Sequence, residues 1–167
     1  VTTRRLLVDR MEADVSIRPS DAPPEHFIGR RIFNLAFGAC SSHKYLELNA
    51  GHKRDGYAWL TVSDGMSASS PGRWLDAFIP PGRRVLRADP FIAAAEACRL
   101  GRGVAMLPKA YAVRMPDLVP LDHLMDAPHA TGLWLLTHPD MRNNLRARAF
   151  LDFVGKQLSK EKKHFAG

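Results

Sequence analysis

Residues 83–108, RRVLRADPFIAAAEACRLGRGVAMLP, decide the fold class. Arg83 to Arg87 reads as a strand. Asp89 caps a helix, and Pro90 takes its first position, where a missing N–H costs nothing. Phe91 to Leu100 is alanine-rich and helical. Gly101 stands where a left-handed C-cap residue belongs. Gly103 to Leu107 is the next strand, ended by Pro108. A strand–helix–strand unit with loops this short implies a parallel pair joined by a right-handed crossover.

The same grammar extends outward. Upstream, residues 3–12 read as the end of a helix, with Leu7 and Met11 on one face. Asp14 to Ile17 is a short strand, and Arg18 to Pro24 (RPSDAPP) is a loop punctuated by prolines. Arg31 to Cys40 is an apolar strand that bends at Gly38. A short helix over 42–48 is capped by Ser41 or Ser42. Tyr57 to Val62 is a strand. Ser70-Pro71 opens a helix with Trp74, Leu75 and Phe78 on its inner face, and Pro80-Pro81 ends it. Downstream, Asp117 to Leu121 is an edge strand and Leu133 to Leu136 a buried one. Asn143 or Asn144 caps a last helix, with Ala147, Phe150, Leu151, Val154 and Leu158 at helical spacing. Alternating strands and helices indicate an α/β fold with a largely parallel sheet.

The bulk composition is that of one ordinary globular domain. The chain has 167 residues, 46% hydrophobic and 25% charged, so it is not read as disordered. Apolar runs such as Val104–Leu107 fall far short of the ~20 residues of a membrane span. The net charge is +7, with its one dense cluster at Lys156, Lys160, Lys162 and Lys163. No nucleic-acid motif accompanies it, so the arginines are read as anion ligands or partners of carboxylates. Two cysteines, Cys40 and Cys98, are too few for a disulfide scaffold and suit a reducing cytosol. A redox pair remains open beside the reading as buried free thiols.

Catalytic signatures are missing. There is no G-x-S-x-G, no G-x-x-x-x-G-K-[ST] and no G-x-G-x-x-G. Gly101-Arg102-Gly103 follows a helix and reads as a cap and tight turn. The histidines at 26, 43, 52, 123, 129, 138 and 164 form no H-x-x-x-H and do not pair with either cysteine at ligand spacing. A triad drawn from the Ser63–Ser70 stretch, a histidine and Asp64 has nothing local to position the nucleophile. The expectation is therefore a protein that is not an enzyme and has no cofactor or metal.

Four segments, in order, resemble the effector-binding (substrate-binding) domain of LysR-type transcriptional regulators. The first is Ala13-Asp14-Val15-Ser16-Ile17-Arg18. The second runs from Gly29-Arg30-Arg31 to Cys40 and on through Ser41, Ser42, His43, Lys44, Tyr45 and Leu46. The third is Val85 to Pro108. The fourth combines Leu118-Val119-Pro120-Leu121, the Leu133–Leu136 strand and Ala147 to Phe153. Together they cover roughly residues 3–160. The resemblance implies a two-lobed, periplasmic-binding-protein-like (type II) α/β fold with two crossover strands. Residues 1–38 and 131–160 would form lobe I, residues 39–130 lobe II, and residues 161–167 a tail. The bend at Gly38 and the linker near Ala130-Thr131 would be the crossings. Family members also carry a winged helix-turn-helix, a linker helix and a first strand and helix before the point that matches Val1. DNA binding and the first wall of the effector cleft are therefore expected of residues outside this chain.

In such a fold small ligands sit near strand C-terminal ends and helix N-termini. Arg18 and Ser20 follow the first strand, while Val62, Ser63 and Asp64 follow the Tyr57–Val62 strand. Ala88, Asp89 and Phe91 sit where a strand meets a helix whose free N–H groups favour an anion. Cys40 and Ser41 at the crossing either face the cleft or pack inside. Arg18 either binds anion or pairs with Asp14 or Asp21; Asp89 also serves as a helix cap, and Ser63 and Asp64 also read as turn residues. The resulting expectation is a cytoplasmic effector sensor of a bacterial regulator. Its effector would be a small anionic metabolite such as a carboxylate. The intact protein would be a homo-oligomer, with a dimer as the simplest form, and would not contact membrane. The alternative is a free-standing solute-binding protein, which would carry a secretory signal upstream of Val1.

Overall fold

The computed structural model describes residues 13–23, 25–62, 69–88 and 91–165. The helix end expected over residues 3–12 lies outside them. In chain order the elements are β1 (Val15–Ser20), β2 (Ile28–Ser42), α1 (His43–Leu48), β3 (Trp59–Val62), α2 (Ser70–Phe78), β4 (Arg84–Ala88) and α3 (Phe91–Arg99). They continue with β5 (Val104–Pro108), α4 (Lys109–Ala112), β6 (Leu118–Pro120), β7 (His129–Thr137), α5 (Leu145–Lys160) and α6 (Lys162–Phe165). Packing divides them into two compact units: Ala36–Ala130, and the described residues up to Leu35 together with those from Thr131. β2 and β7 are the strands through which the chain passes from one unit to the other.

In the unit Ala36–Ala130 the strand order is β2-β5-β3-β4, with β6 also on β2. β3 is parallel to β4 and to β5. The two strands of the 83–108 segment are thus parallel but not neighbours, because β3 lies between them. β2 runs antiparallel to β5 and β6, which makes the sheet mixed where a largely parallel one was expected. Helix α3 lies against β3, β4 and β5. Its small inward side chains Ala94, Ala95 and Cys98 are buried, so the helix approaches the sheet closely around Cys40, Leu60, Ala105 and Leu107.

The turn after α3 follows the sequence closely. Gly101 has φ +74°. Its N–H donates to Cys98 O at 2.9 Å and that of Arg102 to Ala97 O at 3.0 Å, the paired bonds of a Schellman motif. Gly103 answers a different need: a Cβ there would sit 2.5 Å from Ala58 O, the oxygen that accepts from Val104 N at 2.8 Å. The cap of α2 is Ser69, which accepts from Gly72 N, one residue earlier than expected. Trp74 and Leu75 are buried, but Phe78 is 40% exposed and leaves the inner face. Arg84 closes the other end of α2, with hydrogen bonds to the carbonyls of Leu75, Asp76 and Ile79.

In the second unit the order is β1-β7-β2. β1 is antiparallel to β7 from Val15↔Thr137 to Ser20↔Gly132. Arg18, Pro19 and Ser20 are therefore strand and not the expected loop; Pro19 is tolerated because β1 is an edge. Helix α5, capped by Asn144, buries Ala147 and Gly155 and half-buries Leu151, Val154 and Leu158. Phe150 falls outside this stripe, at 48% exposed. The residues expected as a tail include α6, whose Phe165 stacks on Phe33 with ring centroids 5.4 Å apart. Gly38 lies within β2, opposite Leu107, under the side chains of Lys109 and Asp122. No helix among the described residues is long and apolar enough to cross a membrane.

Candidate functional site

The parallel register of β3 and β4 sets Val62 opposite Ala88. Two strand C-termini therefore end side by side, and the second leads within three residues to α3. Ala88 is buried and Phe91 half-buried against the same core, with the Phe91 ring 5.7 Å from that of Phe37. Of the expected site residues in this unit, the structure thus brings Val62, Ala88 and Phe91 to one strand-end region. Ser63, Asp64 and Asp89 lie outside the described residues.

Cys40 and Ser41 resolve toward the interior. Cys40 is 1% and Ser41 0% exposed. β5 and β6 flank this part of β2 on its two edges, and Cys98 of α3 packs against it. Ser41 Oγ donates to Gly103 O at 2.9 Å, which ties β2 to the turn before β5. Cys98 Sγ donates to Cys40 O at 3.2 Å and Cys40 Sγ to Ala105 O at 3.6 Å. The hydrogen bond from Cys98, reinforced by burial, pushes the Cys40 thiol well above its ordinary range. Both cysteines are free. Cys40 and Ser41 are packing and anchoring residues in this structure.

Arg18 and Ser20 belong to the other unit, on β1, opposite Trp134 and Gly132. Ser20 Oγ donates to Ala22 O at 2.7 Å, and Ser20 O accepts from Trp134 Nε1 at 2.9 Å. Ser20 is therefore engaged locally through both its hydroxyl and its carbonyl. Asp21 accepts from the Thr131 hydroxyl.

A polar cluster in the first unit escaped the sequence. Arg54 pairs with Asp126 at 3.0 Å and lies over the Phe78 and Trp74 rings, 4.6 and 5.5 Å from their centroids. Trp74 Nε1 donates to Asp126 Oδ1 at 2.6 Å, and that bond holds the Asp126 carboxyl below its usual range. His129 Nδ1 is 3.1 Å from Ser70 Oγ, and its ring lies against Trp74. Burial lowers the His129 pKa, with Asp126 opposing; its Nε2 is enclosed and has no partner among the described residues. Asp126 is committed to Trp74 and Arg54, so no carboxylate among the described residues is aligned to make Ser70–His129 a nucleophile–base pair. The partners are 52 to 72 residues apart in sequence, and no local spacing signals the cluster. Beside it, His52, Lys53, Arg54, Asp55, Phe78, His123 and Leu124 line a hollow of about 560 Å³. A second hollow, of about 480 Å³, lies in the other unit between β2 and α5. Neither contains a site residue expected from the sequence. No three His, Cys, Asp or Glu side chains gather into a metal-ligand set among the described residues.

Comparisons place this architecture. The chain is similar to the regulatory domain of CrgA, a LysR-type transcriptional regulator from Neisseria meningitidis. The TM-score is 0.72 at 19% identity, covering 90% of this chain and 78% of that one. Against intact CrgA the TM-score is 0.74 at 21% identity, but the chain spans only 54% of that protein. The effector domain of AmpR from Pseudomonas aeruginosa matches with a TM-score of 0.71 at 17% identity, over 96% of this chain and 79% of that one. These likenesses establish a shared fold. A search of curated proteins finds no match. The family model described as the LysR substrate binding domain matches residues 3–159, nearly the whole length, and the chain accordingly belongs to the LysR substrate binding domain family.

Proposed function

We propose that this chain is the effector-sensing domain of a bacterial LysR-type transcription regulator and that its ligand is a small anionic metabolite. The observation that carries the reading is the family match over residues 3–159. The side-by-side ends of β3 and β4 leading into α3 support it, because strand ends beside a helix N-terminus favour small anions. Val62, Ala88 and Phe91 are the candidate contacts there, with Ser63, Asp64 and Asp89 next to them in the sequence. Arg18 and Ser20 are the candidates on β1 of the other unit, with Arg18 supplying a cation. Effector binding biases one state of the domain over another, and a coupling of roughly 1–3 kcal/mol suffices to alter regulation. DNA contact and homo-oligomerisation are assigned to the whole regulator, in the cytoplasm.

The test is thermal unfolding of the chain with a panel of small mono- and dicarboxylates. A ligand at 100 times its Kd stabilises by about 2.7 kcal/mol, or roughly 5–10 °C in Tm for a domain of this size. Arg18→Ala is expected to abolish most of that shift. A panel that leaves Tm unchanged, or a shift indifferent to Arg18→Ala, rejects the reading.

A further inference from the structure

The hollow between β2 and α5 gathers cations from two distant stretches of chain. Arg30 comes from β2, and Lys156 and Lys160 from α5; Arg31, the next residue of the strand, also borders the hollow, but its side chain runs beside Gly132 and Trp134. In the sequence these lysines stand with Lys162 and Lys163 as the one dense cationic cluster, and nothing local joins them to Arg30, more than 120 residues away. None of the residues lining the hollow is acidic. None of the four cations pairs with a carboxylate among the described residues, although such pairs form elsewhere, as at Arg84–Asp76 and Arg99–Glu96. Asp152, one turn before Lys156, makes no ion pair with it.

The geometry is held in place. Arg30 Nη2 donates to Leu151 O at 3.4 Å, and its guanidinium lies against Gly155, where a Cβ would collide with it. A preference of helix C-termini for cations accounts for Lys160 but not for the two arginines on the facing strand. Phe153, 64% exposed, gives the hollow one apolar wall.

We propose that this hollow is a binding site for a phosphate-bearing polyanion, the di- or triphosphate group of a nucleotide or consecutive phosphates of a nucleic-acid backbone. The three cations Arg30, Lys156 and Lys160 exceed what one carboxylate neutralises, and the Arg30 guanidinium presents a fork that matches phosphate oxygens. The volume of about 480 Å³ lies within the range of small-molecule sites. Phe153 offers a face for a base to stack on. This site is separate from the strand-end region assigned above to the effector.

The probes are inorganic tripolyphosphate and, separately, a 20-base-pair DNA duplex, each titrated calorimetrically into the full chain at low and moderate salt. Tripolyphosphate is expected to bind one-to-one. Arg30→Ala/Lys160→Ala should weaken it at least tenfold, and Gly155→Ala several-fold by displacing Arg30 with no change of charge. Lys44→Ala/Arg83→Ala, which removes the same charge from the other unit, should leave it within twofold. Binding by the duplex alone, with the same response to the variants, assigns the site to a nucleic-acid backbone. Binding of neither probe, or loss equal in the control variant, overturns the proposal. Circular-dichroism melts of each variant separate lost binding from lost folding.

Discussion

The two glycines around Arg102 serve different physical ends, so replacing each by alanine should cost different amounts. Gly101 has φ +74° and open space: the nearest atom to a new Cβ is Ser42 Oγ at 3.5 Å. Gly101→Ala therefore meets only the left-handed backbone penalty of roughly 1–2 kcal/mol. That is partly offset by about 0.5 kcal/mol from the stiffer unfolded chain, leaving a loss near 1 kcal/mol. Gly103→Ala places a Cβ 2.5 Å from Ala58 O and 3.2 Å from Ala58 C. These are backbone atoms and cannot rotate away. β3 and β5 must separate, at about 1–3 kcal/mol for overpacking and about 1 kcal/mol for the weakened Val104–Ala58 bond, near 3 kcal/mol in all. Gly82→Ala, with nothing within 4 Å, is the control and should stay within about 0.5 kcal/mol of the parent. The assay is equilibrium urea unfolding followed by the fluorescence of Trp59 and Trp74, which are 0% and 3% exposed and report on this unit. If Gly103→Ala proves no more costly than Gly101→Ala, or Gly101→Ala is free, the account of this turn is wrong.

Two further outcomes follow from the same unit. Arg84→Ala removes the guanidinium that satisfies the end of α2 and pairs with Asp76 at 2.7 Å; the expected loss is about 2 kcal/mol by urea titration. Arg84→Lys should recover less than half of it, since an ammonium cannot reach the carbonyls and the carboxylate together. Burial depresses His129 below its ordinary 6.5, so below that pH the unfolded chain takes up a proton that the folded chain refuses. Stability should be flat above about pH 7 and fall on acidification through 6.5, while the lowered Asp126 carboxyl adds its own loss only as pH drops below 3.8. Comparing urea midpoints at pH 7.5 and 5.5, His129→Gln should shrink the drop, and an unchanged drop would refute this assignment.

Local rules were enough for the elements whose signals lie within one turn of the chain. The alanine run and Gly101 announced α3 and its C-terminal cap; Asn144, one of two candidate caps, announced α5. They failed where a partner far away in sequence decided the outcome. Arg18–Ser20 reads as loop from its prolines and polar residues, but pairing with β7 draws it into a strand. Phe78 and Phe150 fit the apolar spacing of their helices yet remain half exposed, because spacing along a helix does not say which side the rest of the fold covers.

The family, the α/β class and the run of elements from Val85 to Pro108 were determined by the sequence alone, because caps, breakers and hydrophobic period act over a few residues. Tertiary structure alone decided the insertion of β3 between β4 and β5, the burial of Cys40 and Ser41, and the Arg54–Asp126–Trp74 cluster. It also decided the meeting of Arg30 with the α5 residues that carry Lys156 and Lys160. Each of these joins side chains tens of residues apart, and which of many compatible pairings forms is set by the packing of the whole unit, which no short window of sequence contains.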